Sequence, residues 1–318
     1  MSLDSVRISA PCRIHFGLLS LADGNDVQYG GVGVMVDRPR VELEMQPSGV
    51  TRAHGPHSAR VLEFIKTWRE HTQILNHVRS DIQAAPPEHV GLGLGTQLGL
   101  AVATALDMLF DRPSVSVEER ARSVRRGKRS AVGTYGFREG GLIVEGGKKP
   151  GTRLGQIHAR IDLPCAWRVL LICPQGRTGL AGNAEKRAFG ELPEVPASTR
   201  QALRNELFDI LVPAARRSDF GAFSDSVFRY GTMAGELFTA CQGGPFASSE
   251  TARWVKWIRD SGVLGVGQSS WGPTIYCWFP DAGSAARFAV RFQAAFVNLD
   301  AKLLVTSVAR LGVRVETN

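Results

Sequence analysis

The chain has 318 residues, 43% hydrophobic and 21% charged, with 38 Lys and Arg against 30 Asp and Glu, a formal charge of +8. That length buries a core without disulfide staples, and no run approaches the roughly 20 apolar residues of a membrane span. The first residues, MSLDSVRISAP, do not read as a signal peptide, so a cytoplasmic protein without a membrane partner is expected. Five scattered cysteines without a CxxC pair read as reduced thiols. The basic excess gathers at residues 120–129 without an aromatic ladder or zinc-finger spacing. This argues against nucleic acid and for phosphate-bearing small molecules.

In chain order, residues 6–9 and 14–19 predict two short strands around Pro11, which cannot donate to a ladder and marks an edge or a bend. Arg13 and His15 are two apart and share one face of such a strand. Both either face an anionic ligand or serve as a surface arginine and a core-edge histidine. Asp23 and Asp26 follow in a polar loop. They suit Mg2+, which often takes one or two carboxylates plus substrate phosphates; ordinary turn chemistry is the other reading. Residues 30–36 and 40–46 predict a strand pair, 59–72 an amphipathic helix, and 78–84 a further strand.

Residues 90–110 are the stretch around which the chain is organised. Gly91, Gly93 and Gly95 alternate, then Thr96 and Gln97 open a run of good helix formers. Leu98, Ala101, Val102, Ala105, Leu106 and Leu109 mark one apolar helical face, and Thr96 is the expected N-cap. Glycines let backbone amides approach a ligand, and a helix N-terminus favours negative charge, so the stretch predicts a phosphate or pyrophosphate cradle. It is neither a Walker loop nor a Rossmann fingerprint.

Residues 116–129 predict a helix with a capping box, Ser116 then Glu119, whose basic tail is expected in solvent except at Arg129. Residues 129–147 hold six glycines, too irregular for a simple helix or strand, with Ser130, Thr134, Arg138 and Glu139 as polar members of a close-fitting ligand wall. Residues 156–163 and 168–173 predict paired strands, with a domain boundary between 164 and 165. Long helices are expected at 198–215 and 220–239. The second glycine-rich turn, 262–274, carries Gln268, Ser269, Ser270 and Trp271, able to bind an anion or line a pocket; Trp271 either stacks on a ligand ring or packs. A strand at 274–279, a helix at 282–295 and a strand at 302–307 complete the chain.

Three segments in order, APCRIHFGLLSL, HVGLGLGTQLGL and GVGQSSWGPT, resemble the three motifs of the GHMP kinase superfamily. The details depart from the kinases. Thr96-Gln97 stands where they carry Ser-Ser, and the segment matching their catalytic aspartate has none. With Arg129-Ser130, Gly133-Thr134 and Gly140-Gly141, the chain looks instead like the β-ribofuranosylaminobenzene 5′-phosphate synthases, a branch that serves methanopterin biosynthesis. The resemblance implies an α+β, GHMP-kinase-like two-domain fold. Residues 1–164 would form a ribosomal-S5-like α/β domain and 165–318 a ferredoxin-like α+β domain. It implies a transferase joining 4-aminobenzoate or 4-hydroxybenzoate to phosphoribosyl pyrophosphate, with loss of CO2 and pyrophosphate.

On that reading Arg13, Arg129 and Arg138 are the catalytic candidates, pairing a phosphate or the benzoate carboxylate in an order the sequence leaves open. His15, Gly93, Gly95, Thr96, Gln97, Ser130, Thr134, Gln268, Ser269, Ser270 and Trp271 are the substrate-binding candidates. Mg2+ is the expected cofactor, with Asp23 and Asp26 as its ligands. A homodimer is expected from the prevalence of two-fold assemblies. An ATP-dependent small-molecule kinase of the same superfamily is the alternative.

Overall fold

The computed structural model describes residues 3–21, 27–180, 182–297 and 299–318. Strand β1 (Val6–Leu18) runs unbroken where the sequence suggested two short strands. Val6, Ile8, Ala10, Cys12, Ile14 and Phe16 turn one face into the core, the period of two that a strand imposes. Pro11 does mark a bend, since the register with the next strand shifts between Pro11 and Cys12. That neighbour, β2 (Gly31–Pro47), is likewise one long strand rather than the expected pair. It pairs antiparallel with β1 over most of its length.

β3 (Arg52–His54) runs parallel to β4 (Val78–Ala84), which pairs with residues 42–47 of β2. β5 (Leu142–Glu145) pairs with residues 31–34 of β2, and β6 (Ile157–Ile161) with β5. A second, antiparallel sheet is built from β7 (Arg168–Pro174), β8 (Val266–Gln268), β9 (Ile275–Phe279) and β10 (Ala301–Ser307), in the order β10-β7-β9-β8. The expected pairing of 156–163 with 168–173 is therefore wrong. β6 and β7 belong to different sheets, because β6 finds its partner in β5 and β7 is central between β10 and β9. The last strand, β11 (Arg314–Thr317), returns to pair with β1, so a boundary at 164/165 separates the two sheets but not this strand.

Helices α1 (Ser58–Thr72), α2 (Leu94–Leu109), α3 (Val117–Ser123) and α4 (Val132–Glu139) lie on the first sheet. α2 packs against β1, β2, α1, α3 and α4. Its expected single apolar face becomes burial nearly all round: Leu98, Leu100, Ala101, Val102, Ala103, Ala105 and Leu106 are inaccessible. A helix apolar on every side is one enclosed by its neighbours. The glycine run at 129–147 is more regular than its composition suggested, folding as α4 and β5. Gly133 and Gly136 let α4 lie close to its neighbours, since a Cβ at either would press on Gln97 or Met35. α3 ends at Ser123, six residues short of the expected end, because Arg125 and Gly127 take positive φ angles of 56° and 74°. Its cap is as expected: the Ser116 hydroxyl accepts from the Glu119 amide.

The remaining helices are α5 (Gly182–Glu191), α6 (Ala197–Asn205), α7 (Val212–Arg217), α8 (Phe220–Glu236), α9 (Thr239–Gln242), α10 (Ser249–Asp260) and α11 (Ala282–Ala295). The expected helix at 198–215 contains a π-helical turn, Glu206–Leu211, between α6 and α7. α10 was not anticipated; with α11 it covers the second sheet through Trp254, Trp257, Phe288 and Phe292. α8 joins the two halves, touching both β1 and β8. It lies close enough to β1 for the Tyr230 hydroxyl to donate to the Gly17 carbonyl at 3.0 Å. A Cβ on Gly17 would collide with the Cβ of Ala234. Gly17→Ala is therefore expected to lower the unfolding free energy by about 1–3 kcal/mol, read by urea denaturation; an unchanged midpoint would show that α8 is not held this tightly.

Candidate active site

Both halves of the chain line one cleft of about 1050 Å3, large enough for two small substrates at once. Its floor is the glycine loop. Gly91 and Gly93 adopt left-handed φ angles of 86° and 71°. Gly93, not Thr96, is the N-cap of α2: its carbonyl accepts from the Thr96 and Gln97 amides at 3.1 and 3.2 Å. Thr96 lies inside the first turn and lines the cleft. The amides of Leu94 and Gly95, first in the helix, have no intrahelical acceptor.

Among the described residues six basic side chains line the cleft, Arg13, Arg60, Arg125, Arg126, Lys128 and Arg129, against three carboxylates, Glu63, Glu88 and Glu185. Arg13 rises from β1 beside Gly93, and its Nε and Nη1 are shut off from solvent without a partner. Burial pulls its guanidinium down to about 10, against the opposing pull of Glu185, Cys12 and Glu145. Arg126 is pulled down to about 10 by burial and by neighbouring Arg60, and its Nε is also unpartnered. Burying cationic donors without acceptors is costly, so the empty side of this wall suits an anion. Arg129 is held differently. Its Nη1 is 2.5 Å from Glu185 Oε1, and its guanidinium sits 4.1 Å from the Phe189 ring centre. Phe189, Phe238 and Trp271 form an edge-to-face cluster, and all three line the cleft.

His15 shares the cleft face of β1 with Arg13, as the spacing predicted. Its Nε2 lies 3.1 Å from Ser130 Oγ, and that hydroxyl donates to Glu145 Oε2 at 3.0 Å. Glu145 is inaccessible. Burial raises its carboxyl to about 7, opposed by hydrogen bonds from the Ala131 amide, Ser130 and the Val132 amide and by the charge of Lys148. Burial and Arg13 hold the His15 ring well below the ordinary imidazole value.

The second glycine turn acts chiefly as a clamp on the first. Ser269 is inaccessible; its hydroxyl donates to the Gly91 carbonyl at 2.6 Å and accepts from the His15 amide at 3.0 Å. Gln268 spends its side-chain amide on the Ala247 amide and the Ser270 carbonyl. Ser270 is exposed to the cleft, and its amide donates to the His15 carbonyl. Trp271 packs and also faces the cleft, donating from Nε1 to Glu185 at 3.1 Å.

Besides the buried Ser269, three more of the expected site residues do not line the cleft. Gln97 is buried and donates to the Gly133 carbonyl at 2.9 Å, fastening α2 to α4. Thr134 is buried within α4, away from the cleft wall. Arg138 lies in the last turn of α4, paired with Glu139 and with Glu118 at 3.9 Å, and does not line the cleft. The helical turn of α4 carries it away from Ser130. Asp23 and Asp26 lie outside the described residues. Among the described residues no group of three or more His, Cys, Asp and Glu converges on a metal site.

Arg60, Arg126, Lys128, Glu145 and Glu185 are site residues that the sequence reading missed. Gly127 was the available signal for two of them. By ending α3 it turns the basic tail, expected in solvent, into the cleft.

Residues 211–298 match the model of the GHMP kinases C-terminal domain. The chain is similar to Beta-ribofuranosylphenol 5′-phosphate synthase from Methanothermobacter thermautotrophicus, 26% identical over 85% of this chain and 87% of the other. The same-named protein of Archaeoglobus fulgidus is 25% identical over 98% and 99%. Among solved structures, homoserine kinase from Cytophaga hutchinsonii superposes with a TM-score of 0.69 at 17% identity, covering 98% of each chain. Mevalonate diphosphate decarboxylase from Enterococcus faecalis gives 0.69 at 13% identity, covering 99% and 100%. The chain has the GHMP kinase fold, and its resemblance to the synthase branch, an enzyme family, extends over most of its length.

The raised carboxyl of Glu145 has a consequence for stability. Folding favours its protonated form; that contribution is full below the ordinary value of 4.5 and is lost as pH rises through about 7. Lys148 and Arg13 face the same group and limit the loss. The unfolding free energy of Glu145→Gln relative to the parent protein is expected to rise by about 3 kcal/mol between about pH 4.5 and pH 8. A difference independent of pH, by urea unfolding, would contradict a buried ionisable carboxyl.

Proposed function

We propose that this chain, a relative of the ribofuranosylphenol phosphate synthases on the GHMP kinase fold, joins a para-substituted benzoate to phosphoribosyl pyrophosphate. CO2 and pyrophosphate leave, and a C-riboside 5′-phosphate forms in methanopterin biosynthesis. The relatives' name speaks of a phenol product, which favours 4-hydroxybenzoate as acceptor over 4-aminobenzoate. The observation that carries the reading is Arg13, a cation with unpartnered donors shut into the cleft beside a left-handed glycine at a helix N-terminus. That arrangement suits an anion of several charges, as a pyrophosphate is.

The donor's diphosphate would lie on the Leu94 and Gly95 amides with Arg13, Arg60 and Arg126 around it. Loss of pyrophosphate leaves an oxocarbenium-like sugar, so neutralising the leaving charge and holding the acceptor carbon near it are the main tasks. The cluster of Phe189, Phe238 and Trp271 offers apolar surface for the acceptor ring. Arg129 above it would exchange Glu185 for the benzoate carboxylate. The acceptor attacks through the carbon that bears the carboxylate, and rearomatisation expels CO2. A Mg2+ ion would accompany the diphosphate and supply neutralising charge, with Asp23 and Asp26 as its proposed ligands. A homodimer in the cytoplasm remains our expectation for the assembly.

Purified protein given phosphoribosyl pyrophosphate, Mg2+ and carboxyl-labelled 4-hydroxybenzoate is expected to release labelled CO2 only when the donor is present. Arg13→Ala and Arg129→Ala are each expected to lower turnover at least about tenfold by removing a charge-assisted contact. Arg138→Ala, outside the cleft, is expected to stay within about twofold. ADP formation from ATP and a small alcohol, without CO2 release from either benzoate, would overturn the reading in favour of a kinase.

A further inference from the structure

Glu145 is a buried carboxylate for which the fold has no electrostatic need. It sits at the end of β5, inaccessible, with Oε2 accepting from the Ala131 amide at 2.7 Å and from Ser130 Oγ at 3.0 Å. A glutamine would cap the same amide without the cost of burying a charge. Oε1 has no partner among the described residues, and it lies so near Gly155 that a Cβ there would collide with it.

The carboxylate is the inner end of a line of hydrogen bonds. Ser130 Oγ donates to it, accepts from the Val132 amide at 3.2 Å, and lies 3.1 Å from His15 Nε2. With Ser130 donating inward, Nε2 carries the ring proton and Nδ1 is left as an acceptor. No described residue bonds Nδ1. The backbone that carries the ring is fixed from behind, since the His15 amide donates to Ser269 and its carbonyl accepts from Ser270. His15 and Ser130 both line the cleft; Glu145 does not.

We propose that His15, Ser130 and Glu145 form a proton relay that takes up the acceptor's para-hydroxyl proton as its ring carbon attacks the donor. This rests on the function proposed above. As the phenolic O–H bond breaks, the proton passes to His15 Nδ1. The proton on Nε2 passes to Ser130 Oγ, and the hydroxyl proton of Ser130 passes to Glu145 Oε2. The oxygen's electron pair moves through the ring to the carboxyl-bearing carbon, which bonds to the sugar C1′. The C1′–O bond breaks and pyrophosphate leaves with its electron pair. Loss of CO2 then returns an electron pair to the ring, and the dienone oxygen recovers the proton by the reverse passage, so no proton is gained or lost overall.

The charge pattern explains why the proton rests on Glu145. Arg13 faces His15 and, with burial, disfavours an imidazolium. Glu145 is faced by Lys148, Arg13, Tyr135 and Tyr230, and its raised value near 7 makes it a matched acceptor. His15 is the catalytic residue of the set; Ser130 and Glu145 act through it.

The test uses the full chain, Glu145→Gln and Ser130→Ala, with 4-hydroxybenzoate and its more acidic 3,5-difluoro derivative, which arrives largely ionised. Each variant is expected to lose at least about a hundredfold in kcat with 4-hydroxybenzoate, with the donor's KM little changed. Each is expected to recover at least about tenfold of that loss with the fluorinated acceptor, which needs no base. Equal losses on both acceptors, or near-full activity on 4-hydroxybenzoate, in a folded variant would overturn the relay. Should Glu145→Gln not fold, Ser130→Ala decides alone, since it cuts the line at its middle without leaving a cavity in the core. A parent protein that makes no riboside from either acceptor would overturn the function and the relay together, and would do so before any variant is compared.

Discussion

One buried hydroxyl ties the molecule together. Ser269 reaches from the second half of the chain to the Gly91 carbonyl and the His15 amide. It thereby fixes the glycine loop to the strand that carries Arg13 and His15. The Thr274 amide adds a bond to the Val90 carbonyl, and Gly179 one to His89. The left-handed turn at Gly93 and the open amides of α2 keep their aim because the loop is bolted on both sides. Remove that clamp and the glycine loop, the buried arginine and the histidine lose their common frame.

The cleft joins two kinds of surface. Strand β1, helix α1 and residues 125–129 supply cations, and two of these, Arg13 and Arg126, carry donors that no described residue satisfies. The second half supplies aromatic rings and a glutamate that already holds Arg129. A site of this make-up suits an anion beside an apolar ring, which is what the proposed donor and acceptor would bring. The same fold in homoserine kinase and mevalonate diphosphate decarboxylase shows only that the scaffold accepts different chemistries.

The glycine loop, its helix and the sharing of one strand face by Arg13 and His15 were legible in the sequence, because each rests on local spacing. The long strands were less so. Residues 6–9 and 14–19 read as two short strands around Pro11, whereas β1 passes through it with a shift of register. Thr96 read as the cap because its hydroxyl suits that role, but the left-handed Gly93 ends the loop three residues earlier. Gln97 and Ser269 carry the residue types of ligand contacts and spend them on backbone carbonyls instead. Arg138 was grouped with Ser130 by nearness in sequence, but it lies at the far end of α4, which begins two residues after Ser130. Glu145 gave no signal at all. A lone acid at the end of a strand becomes chemically notable only when the tertiary fold buries it next to Ser130.

On the proposed function, the glycine loop and its arginines hold a sugar diphosphate rather than a nucleotide. Calorimetric titration of phosphoribosyl pyrophosphate with Mg2+ into the parent protein and Gly95→Val tests it most directly, because a side chain at 95 points at Arg60, whose Nη2 would lie 2.6 Å from the new Cβ. The account predicts binding to the parent that ATP does not displace, and binding at least about tenfold weaker to a Gly95→Val variant of unchanged melting temperature, through loss of charge-assisted contacts. Tight binding of ATP with none of phosphoribosyl pyrophosphate, or equal donor affinity in both proteins, would contradict it.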